Sequence, residues 1–461
     1  MKTTYLLPLL AAGLLGSLCH GQQPADVQTN LSAPTTQDTK MQWWRDAHFG
    51  MFIHYGLYSG LECSFDGKDG RGEWTQRNLN LDTDTYAAAA KPLFRPAPGC
   101  AEKWAELAQA AGCRYMVLTS KHHEGFALFD APNTDFCSAK LLGRDIVKEF
   151  ADACRARGMR VGFYHSVIDW HQKDYDNGIA QGKMPYPEGQ SKMLAEKGIP
   201  RNHEAYIRYL HEQVRTLMTR YGKVDILWWD FSNGELSGDR GWKATELLKM
   251  CRELQPGIIM NNRLYPGHAT RKFSDKADFC TPEQLVPDRT DLPLYDWESC
   301  MTVGHHWGYS RFEKPEDYKT PADAIRLLEA CVSRGGNLLL NVGPMPDGSI
   351  PEPVERVFRR MGDWMAVNGE AIYGSRAVKG VDVPCVRVGE NLYIFLPATP
   401  GDVCLPGDLI GLCRCSVLGQ PDCKVKTFGS AAPETITYRV PESAWEKAVE
   451  GLPVLKLEPV R

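Results

Sequence analysis

The sequence predicts an α/β fold, a (β/α)8-like TIM barrel followed by a C-terminal all-β sandwich domain. Short apolar, β-branched runs alternate with helix-like segments between residues 40 and 373, the pattern of parallel strands with helical crossovers. About seven or eight such units over roughly 330 residues favour a closed barrel. No glycine-rich phosphate turn follows the first strand, which counts against a dinucleotide-binding sheet. From Gly374 the texture changes to short alternating runs among Pro and Gly, without helices of any length, as a small sandwich requires.

Taken in order, residues 1–21 read as a signal peptide. Met1-Lys2 supplies the charge, Tyr5 to Leu18 is an apolar run too short to cross a membrane, and Gly21 is a plausible cleavage position. The chain is therefore expected to be exported, to the periplasm or the medium. A lipid anchor at Cys19 is disfavoured by the bulk of Leu18. Residues 22–39 are a Thr/Gln-rich linker, 40–373 the barrel and 374–461 the sandwich. No later stretch approaches eighteen uninterrupted apolar residues, so no membrane span is expected.

Within the barrel, the helix-like Lys40 to Asp46 leads into a first strand, Phe49 to Ile53, with its mouth at His54-Tyr55-Gly56. A helix over Ala101 to Ala111 stops at Gly112, and Tyr115 to Ser120 is the second strand. Ile146 to Arg157 is a helix stopped at Gly158, and Arg160 to His165 the third strand. Helix His203 to Arg220 precedes the fourth strand, Val224 to Asp230, which breaks into the turn signal Asn233-Gly234-Glu235. Helix Ala244 to Leu254 precedes Ile258 to Arg263, and Ala277 to Thr281 is a shorter strand. Helix Pro321 to Ser333, strand Asn337 to Val342 and helix Val354 to Asn368 close the set. Cys63 to Leu81 and Gln172 to Pro200 exceed ordinary connection lengths and read as loops at a functional rim or as mobile segments.

Composition narrows the partners. A net charge of −4 over 461 residues, with no basic stripe, gives no basis for nucleic-acid binding. Twelve Trp would suit stacking against sugar rings, although core packing explains most tryptophans. Fifteen Cys are many for an exported chain. Their spacings are scattered, and Cys113, Cys154, Cys251 and Cys331 fall in helix-like or strand-like runs, as buried thiols do. Cys413-Arg414-Cys415 and Cys423 lie closer together but lack a paired metal-binding spacing. Neither disulfide pairing nor oligomeric state is legible.

Polar residues gather where the strands end: His54, then His122-His123-Glu124, Tyr164-His165, Asp230, Arg263 and Glu283. Any one of them could be a packing residue or, for Asp230, a turn cap. Six consecutive strand ends point instead to one pocket at the carboxyl-terminal mouth. His54, His122, His123 and Asp230 resemble a metal-ligand set, but adjacent histidines on extended backbone point to opposite faces, and no metal is expected. Carboxylates on separate strand ends, with His and Trp around them, suit glycoside hydrolysis: one attacks, the other protonates the leaving oxygen.

Phe49-Gly50-Met51-Phe52-Ile53-His54-Tyr55-Gly56, Gly72-Glu73-Trp74, Lys121-His122-His123-Glu124-Gly125-Phe126, Trp228-Trp229-Asp230 and Trp297-Glu298 through Trp307-Gly308-Tyr309 together resemble the exported α-L-fucosidases, family 29 of the glycoside hydrolases. The resemblance covers about residues 40 to 370. It implies a retaining exo-enzyme without cofactor, acting on fucosylated oligosaccharides or glycoconjugates, with Asp230 as nucleophile. It places His54, Glu73, Trp74, His122, His123, Tyr164 and Arg263 at the sugar, with Trp228 and Trp307 near it. The acid/base position is variable in the family. Glu283, in Cys280-Thr281-Pro282-Glu283-Gln284, is the choice and Glu298 the alternative. The bland reading of Glu298 is a bond that fixes the Trp297 segment. A retaining glycosidase of another sugar specificity and a non-catalytic fucose-binding protein are the rival functions.

Overall fold

A computed structural model describes residues 36–175, 186–232, 236–265, 276–288, 295–409, 411–429 and 435–460. The chain divides into two units, Met1–Thr39 and Lys40–Arg461. Only the start of the helix Thr36–Ala47 is described in the first, and it takes in residues 36–39 at the end of the expected linker. The signal peptide, Cys19 and the rest of the linker lie outside the described residues. Of the turn after Asp230, Asn233 to Glu235 also lie outside them.

The second unit is built on seven parallel strands: β1 Phe49–Ile53, β2 Tyr115–Lys121, β3 Arg160–Ser166, β4 Ile226–Asp230, β5 Ile259–Met260, β6 Glu298–Thr302 and β7 Asn337–Val342. Their order is β5-β4-β3-β2-β1-β7-β6. Single parallel bridges, Asn261 to Phe279 and Cys280 to Trp297, join β5 to β6 and bring the curled sheet round on itself.

Side chains alternate along each strand, and both faces are apolar because both are covered. Phe52, Val117, Tyr164, Trp228, Ile259 and Leu339 point inward and pack with Met41, Trp44 and Ala47 of the preceding helix. Met51, Ile53, Met116, Leu118, Phe163, Leu227, Trp229 and Leu340 point outward into the helical layer. The interior is a packed core, so the pocket is confined to the strand ends.

The helices follow their sequence signals. Asp145 accepts from the Lys148 amide at the start of Ile146–Ala156, and Asn202 from the Ala205 amide at the start of His203–Arg220. Thr320 and Asp323 form a capping box, with Pro at the first turn of Pro321–Val332. Gly158, just past the end of Ile146–Ala156, has φ +68, a left-handed position where a side chain would be strained.

Two expected strands are shorter than read, one strand was not foreseen, and the two long segments carry regular elements. Ile258 to Arg263 shrinks to the two residues of β5, and Ala277 to Thr281 to isolated bridges at Phe279 and Cys280. Strand β6 did not show as an apolar run, because Glu298, Ser299 and Thr302 are polar yet buried. The Gln172 to Pro200 segment carries a helix, Glu188–Glu196. Cys63 to Leu81 holds a small hairpin, Ser64–Phe65 with Lys68–Asp69, then helical turns at Gly72–Trp74 and Thr75–Asn78.

The C-terminal part is antiparallel. Five strands (Arg376–Ala377, Cys385–Val388, Asn391–Phe395, Val454–Pro459 and Cys413–Val417) form one sheet; Asp402–Pro406, Thr435–Arg439 and Lys426–Gly429 form another. Leu392, Ile394, Leu455, Leu457, Val403, Leu405 and Tyr438 share their own core. One short helix, Ser443–Lys447, interrupts the β texture. Trp364 of helix Glu352–Asn368 donates to the Leu452 carbonyl at 2.9 Å, tying this part to the barrel helices. Cys113, Cys154, Cys251 and Cys331 are buried thiols. No described helix is long and apolar enough to cross a membrane.

Candidate active site

The alternation in β4 separates its two tryptophans. Trp229 joins the outer helical layer, while Trp228 and Asp230 face inward. Asp230 therefore sits at the mouth with Trp228 one layer beneath it. Its Oδ1 accepts from Arg263 Nη1 at 2.9 Å, and its Oδ2 from the Tyr164 hydroxyl at 2.7 Å. His123 Nε2 lies 3.8 Å from Oδ2, with its Nδ1 2.7 Å from Ser166 Oγ. Burial raises the Asp230 pKa, but Arg263, His123 and the Tyr164 hydrogen bond outweigh it and hold the carboxyl below its ordinary range.

Arg263 organises the second carboxylate as well. Its Nη2 lies 2.8 Å from Glu283 Oε2, and its Nε donates to Thr281 Oγ1 at 2.8 Å. The guanidinium rests 4.5 Å above the Trp228 ring, a cation–π contact in a dry setting. The Asp230 side chain is 12% exposed and that of Glu283 34%, so Glu283 stands on the solvent side.

The remaining wall is aromatic and imidazole. Asn341 Nδ2 donates to the Trp307 carbonyl at 2.7 Å, which turns its Oδ1 toward His54 Nδ1, also at 2.7 Å. His54 must then donate from Nδ1, leaving Nε2 as an acceptor. Burial pushes His54 down to about 3 and His123 to about 4, so both rings are neutral near pH 7. His122 stacks on Tyr164 with centroids 5.4 Å apart. Trp74 packs edge-on against His123 at 5.4 Å. Trp307 lies against His54 at 5.1 Å. Glu73, at the helical turn Gly72–Trp74, accepts the Gly308 amide at 3.0 Å and is raised to about 7 by burial.

Together these groups line an open pocket of about 460 Å³. His54, Glu73, Trp74, His122, His123, Tyr164, Trp228, Asp230, Arg263, Glu283 and Trp307 all meet there. Glu298 does not line it; it is wholly buried at the start of β6. The sequence reading missed Phe52, Phe231 and Cys300. Counting back two residues from His54 would have found Phe52. Phe231 enters through a left-handed φ of +71, and Cys300 lies on the strand that was not foreseen.

The adjacent histidines also differ from expectation. They follow the last residue of β2, where strict alternation ends, and their rings lie 4.0 Å apart on one side. Nitrogens of His122 and His123 and an oxygen of Asp230 all fall within 4.8 Å of one another, close enough to bind a metal ion. Asp230 already bonds a guanidinium and a tyrosine hydroxyl in this cluster.

Known proteins share this architecture. Residues 17–370 match the α-L-fucosidase family model. The chain belongs to family 29 of the glycoside hydrolases, the α-L-fucosidases. Rat plasma α-L-fucosidase is 33% identical over 351 residues, covering 72% of this chain and 70% of the relative. The Dictyostelium discoideum α-L-fucosidase is 30% identical, covering 80% of each chain. α-L-Fucosidase isoenzyme 1 from Paenibacillus thiaminolyticus superposes with a TM-score of 0.79 at 36% identity, covering 93% of this chain and all of that one. In this family member the pocket opens at the mouth of the barrel, with Trp228 among its lining residues.

Proposed function

We propose that this chain is a retaining exo-α-L-fucosidase that releases terminal α-L-fucosyl residues from oligosaccharides or glycoconjugates. The observation that carries the reading is Asp230, held as an anion by Arg263, Tyr164 and His123 in a pocket that also contains Glu283.

Asp230 attacks the anomeric carbon as the glycosidic bond breaks, and Glu283 gives a proton to the departing oxygen. The resulting fucosyl ester is then attacked by water, which Glu283 deprotonates, and Asp230 leaves as the free carboxylate. A retaining pair stands ~5–5.5 Å apart, and one guanidinium bonded to both carboxylates supports such closeness. The greater exposure of Glu283 suits the side from which aglycone departs and water enters. His54, with Nε2 free to accept, together with His122, Glu73 and the Trp74 and Trp307 rings, binds hydroxyls and CH faces of the sugar. Two relatives support the assignment by analogy. A Bacteroides thetaiotaomicron enzyme of this family was trapped as a covalent intermediate with 2-fluoro-fucosyl fluoride by using a Glu-to-Gln variant. A Thermotoga maritima fucosynthase carries Gly in place of an Asp.

We also assign residues 1–21 to an export signal, 22–39 to a linker, and the boundary between barrel and sandwich to residues 373 and 374. The protein would then act in the periplasm or the medium.

The test is release of fucose from an aryl α-L-fucoside by wild type, Asp230→Ala and Glu283→Ala. Turnover should vanish in the Asp variant with the fold intact, and azide should restore turnover to the Glu variant by forming fucosyl azide. Near-normal activity of Asp230→Ala would end the mechanism. Full activity of Glu283→Ala would remove its role.

A further inference from the structure

Glu298 is an acidic side chain with no cation beside it among the described residues, sealed in the barrel below the pocket. Its relative exposure is zero. It begins β6, paired with Asn337 at the start of β7, so it lies at the end of the barrel opposite the mouth. Cys300, two residues on and facing the same way, already lines the pocket floor. A group at that depth cannot reach a glycosidic oxygen at the mouth.

Its contacts nevertheless lead to the reacting carboxylate. Oε1 accepts from Trp228 Nε1 at 3.2 Å, and Oε2 from the Tyr115 hydroxyl at 2.6 Å. Each oxygen thus faces a ring that belongs to the inner core. Trp228 carries Arg263 on its face at 4.5 Å and stacks on Tyr164 with centroids 5.8 Å apart and planes 21° from parallel. Arg263 and Tyr164 are the two groups that hydrogen-bond Asp230, one to each oxygen. Removing the anchor frees the indole to tilt, and both supports of the carboxylate rest on that indole. Barrel cores are close-packed and transmit such shifts. A displacement of about 1 Å at a reacting group costs up to ~100-fold in rate.

We propose that Glu298 is a positioning residue for the glycosidase reaction, fixing Trp228 so that Arg263 and Tyr164 hold Asp230 in line with the anomeric carbon. The proposal rests on the retaining mechanism above. It differs from an acid/base role in what it predicts for substrates that leave without protonation. A slow nucleophile slows every substrate, whereas a lost acid spares one with a good leaving group.

The experiment compares wild type, Glu298→Gln and Glu298→Leu on an aryl α-L-fucoside and on α-L-fucosyl fluoride, with azide present and absent, and with melting temperatures alongside. Gln can still accept from Trp228 and satisfy the Tyr115 hydroxyl, so Glu298→Gln should keep kcat within about threefold of wild type. Leu offers no acceptor, and kcat should fall about 30- to 100-fold on both substrates with KM changed less than threefold. Azide should rescue neither variant. Wild-type kcat in Glu298→Leu would overturn the proposal, as would a loss confined to the aryl substrate and restored by azide. If Glu298→Leu does not fold, Trp228→Phe keeps a ring but removes the bonded N–H. It should show the same loss on both substrates, and unchanged kcat there would overturn the proposal equally. An inactive wild type on both substrates would instead refute the fucosidase reading, and with it the role proposed for Glu298, whereas an active wild type with unaffected variants refutes that role alone.

Discussion

Arg263→Met is the most informative single perturbation, because one guanidinium serves both carboxylates. The substitution keeps a chain of similar length over Trp228 but deletes bonds of 2.9 Å to Asp230 and 2.8 Å to Glu283. Breaking a buried ion pair by removing one partner costs about 3–5 kcal/mol. The lower end applies here, since Glu283 is a third exposed and water can replace its half of the interaction. The loss should therefore be about 3 kcal/mol, falling mainly on Asp230.

The sign of the pH effect follows. In the wild type the Asp230 pKa lies below its unfolded value, so its stabilisation is present above pH 3.8 and is lost as pH falls through the folded pKa. Without Arg263, burial is opposed only by His123 and the Tyr164 hydroxyl, and the carboxyl rises. The acid limb of kcat/KM on an aryl α-L-fucoside should then move to higher pH, at about 1.36 kcal/mol per unit. At its optimum, kcat/KM should fall about 100- to 1,000-fold through misplaced and less ionised nucleophile. The assay is the full profile from acid to neutral pH, with thermal melts at each point. An unmoved acid limb, or kcat/KM within tenfold of wild type in a folded variant, would refute the argument that this guanidinium keeps the nucleophile charged and in place.

Two further outcomes test other parts of the site. Trp307→Ala removes a ring packed 5.1 Å from His54 and 6.1 Å from Phe52. At about 0.5–1.5 kcal/mol per aromatic contact, KM for the aryl fucoside should rise roughly three- to tenfold, which steady-state kinetics would read. Glu124 is fully buried, and burial raises its pKa from the ordinary 4.5 to about 8. The folded form holds that proton where the unfolded form has lost it, so Glu124 costs stability progressively as pH rises from 4.5 to about 8. Glu124→Gln should flatten the fall of melting temperature across that window, and an unchanged slope in thermal melts would show that Glu124 is ionised in the fold.

The sequence by itself determined the order of the units and the residues at their ends. Alternation, helix caps and the polar groups after each apolar run are local properties, and in a parallel barrel every strand end faces the same mouth. That is why His54, Tyr164, Asp230, Arg263 and Glu283 could be gathered without coordinates, and why Trp228 could be marked beside them. The tertiary structure decided what local pattern cannot encode. Glu298, Ser299 and Thr302 did not read as a strand because they are polar, and their burial rests on partners elsewhere in the fold: Tyr115 and Trp228 for Glu298, the Leu285 carbonyl for Ser299, Asn341 and the His306 carbonyl for Thr302. Its place at the start of β6, at the end of the barrel opposite the mouth, keeps Glu298 out of the pocket. His122 and His123 come to lie on one side because the strand ends at Lys121, one residue before the alternation rule would have parted them. The pairing of one arginine with two acids, some twenty and thirty residues away along the chain, is likewise a consequence of convergent strand ends. Burial then sets which of those groups carries charge, and burial exists only in the folded state.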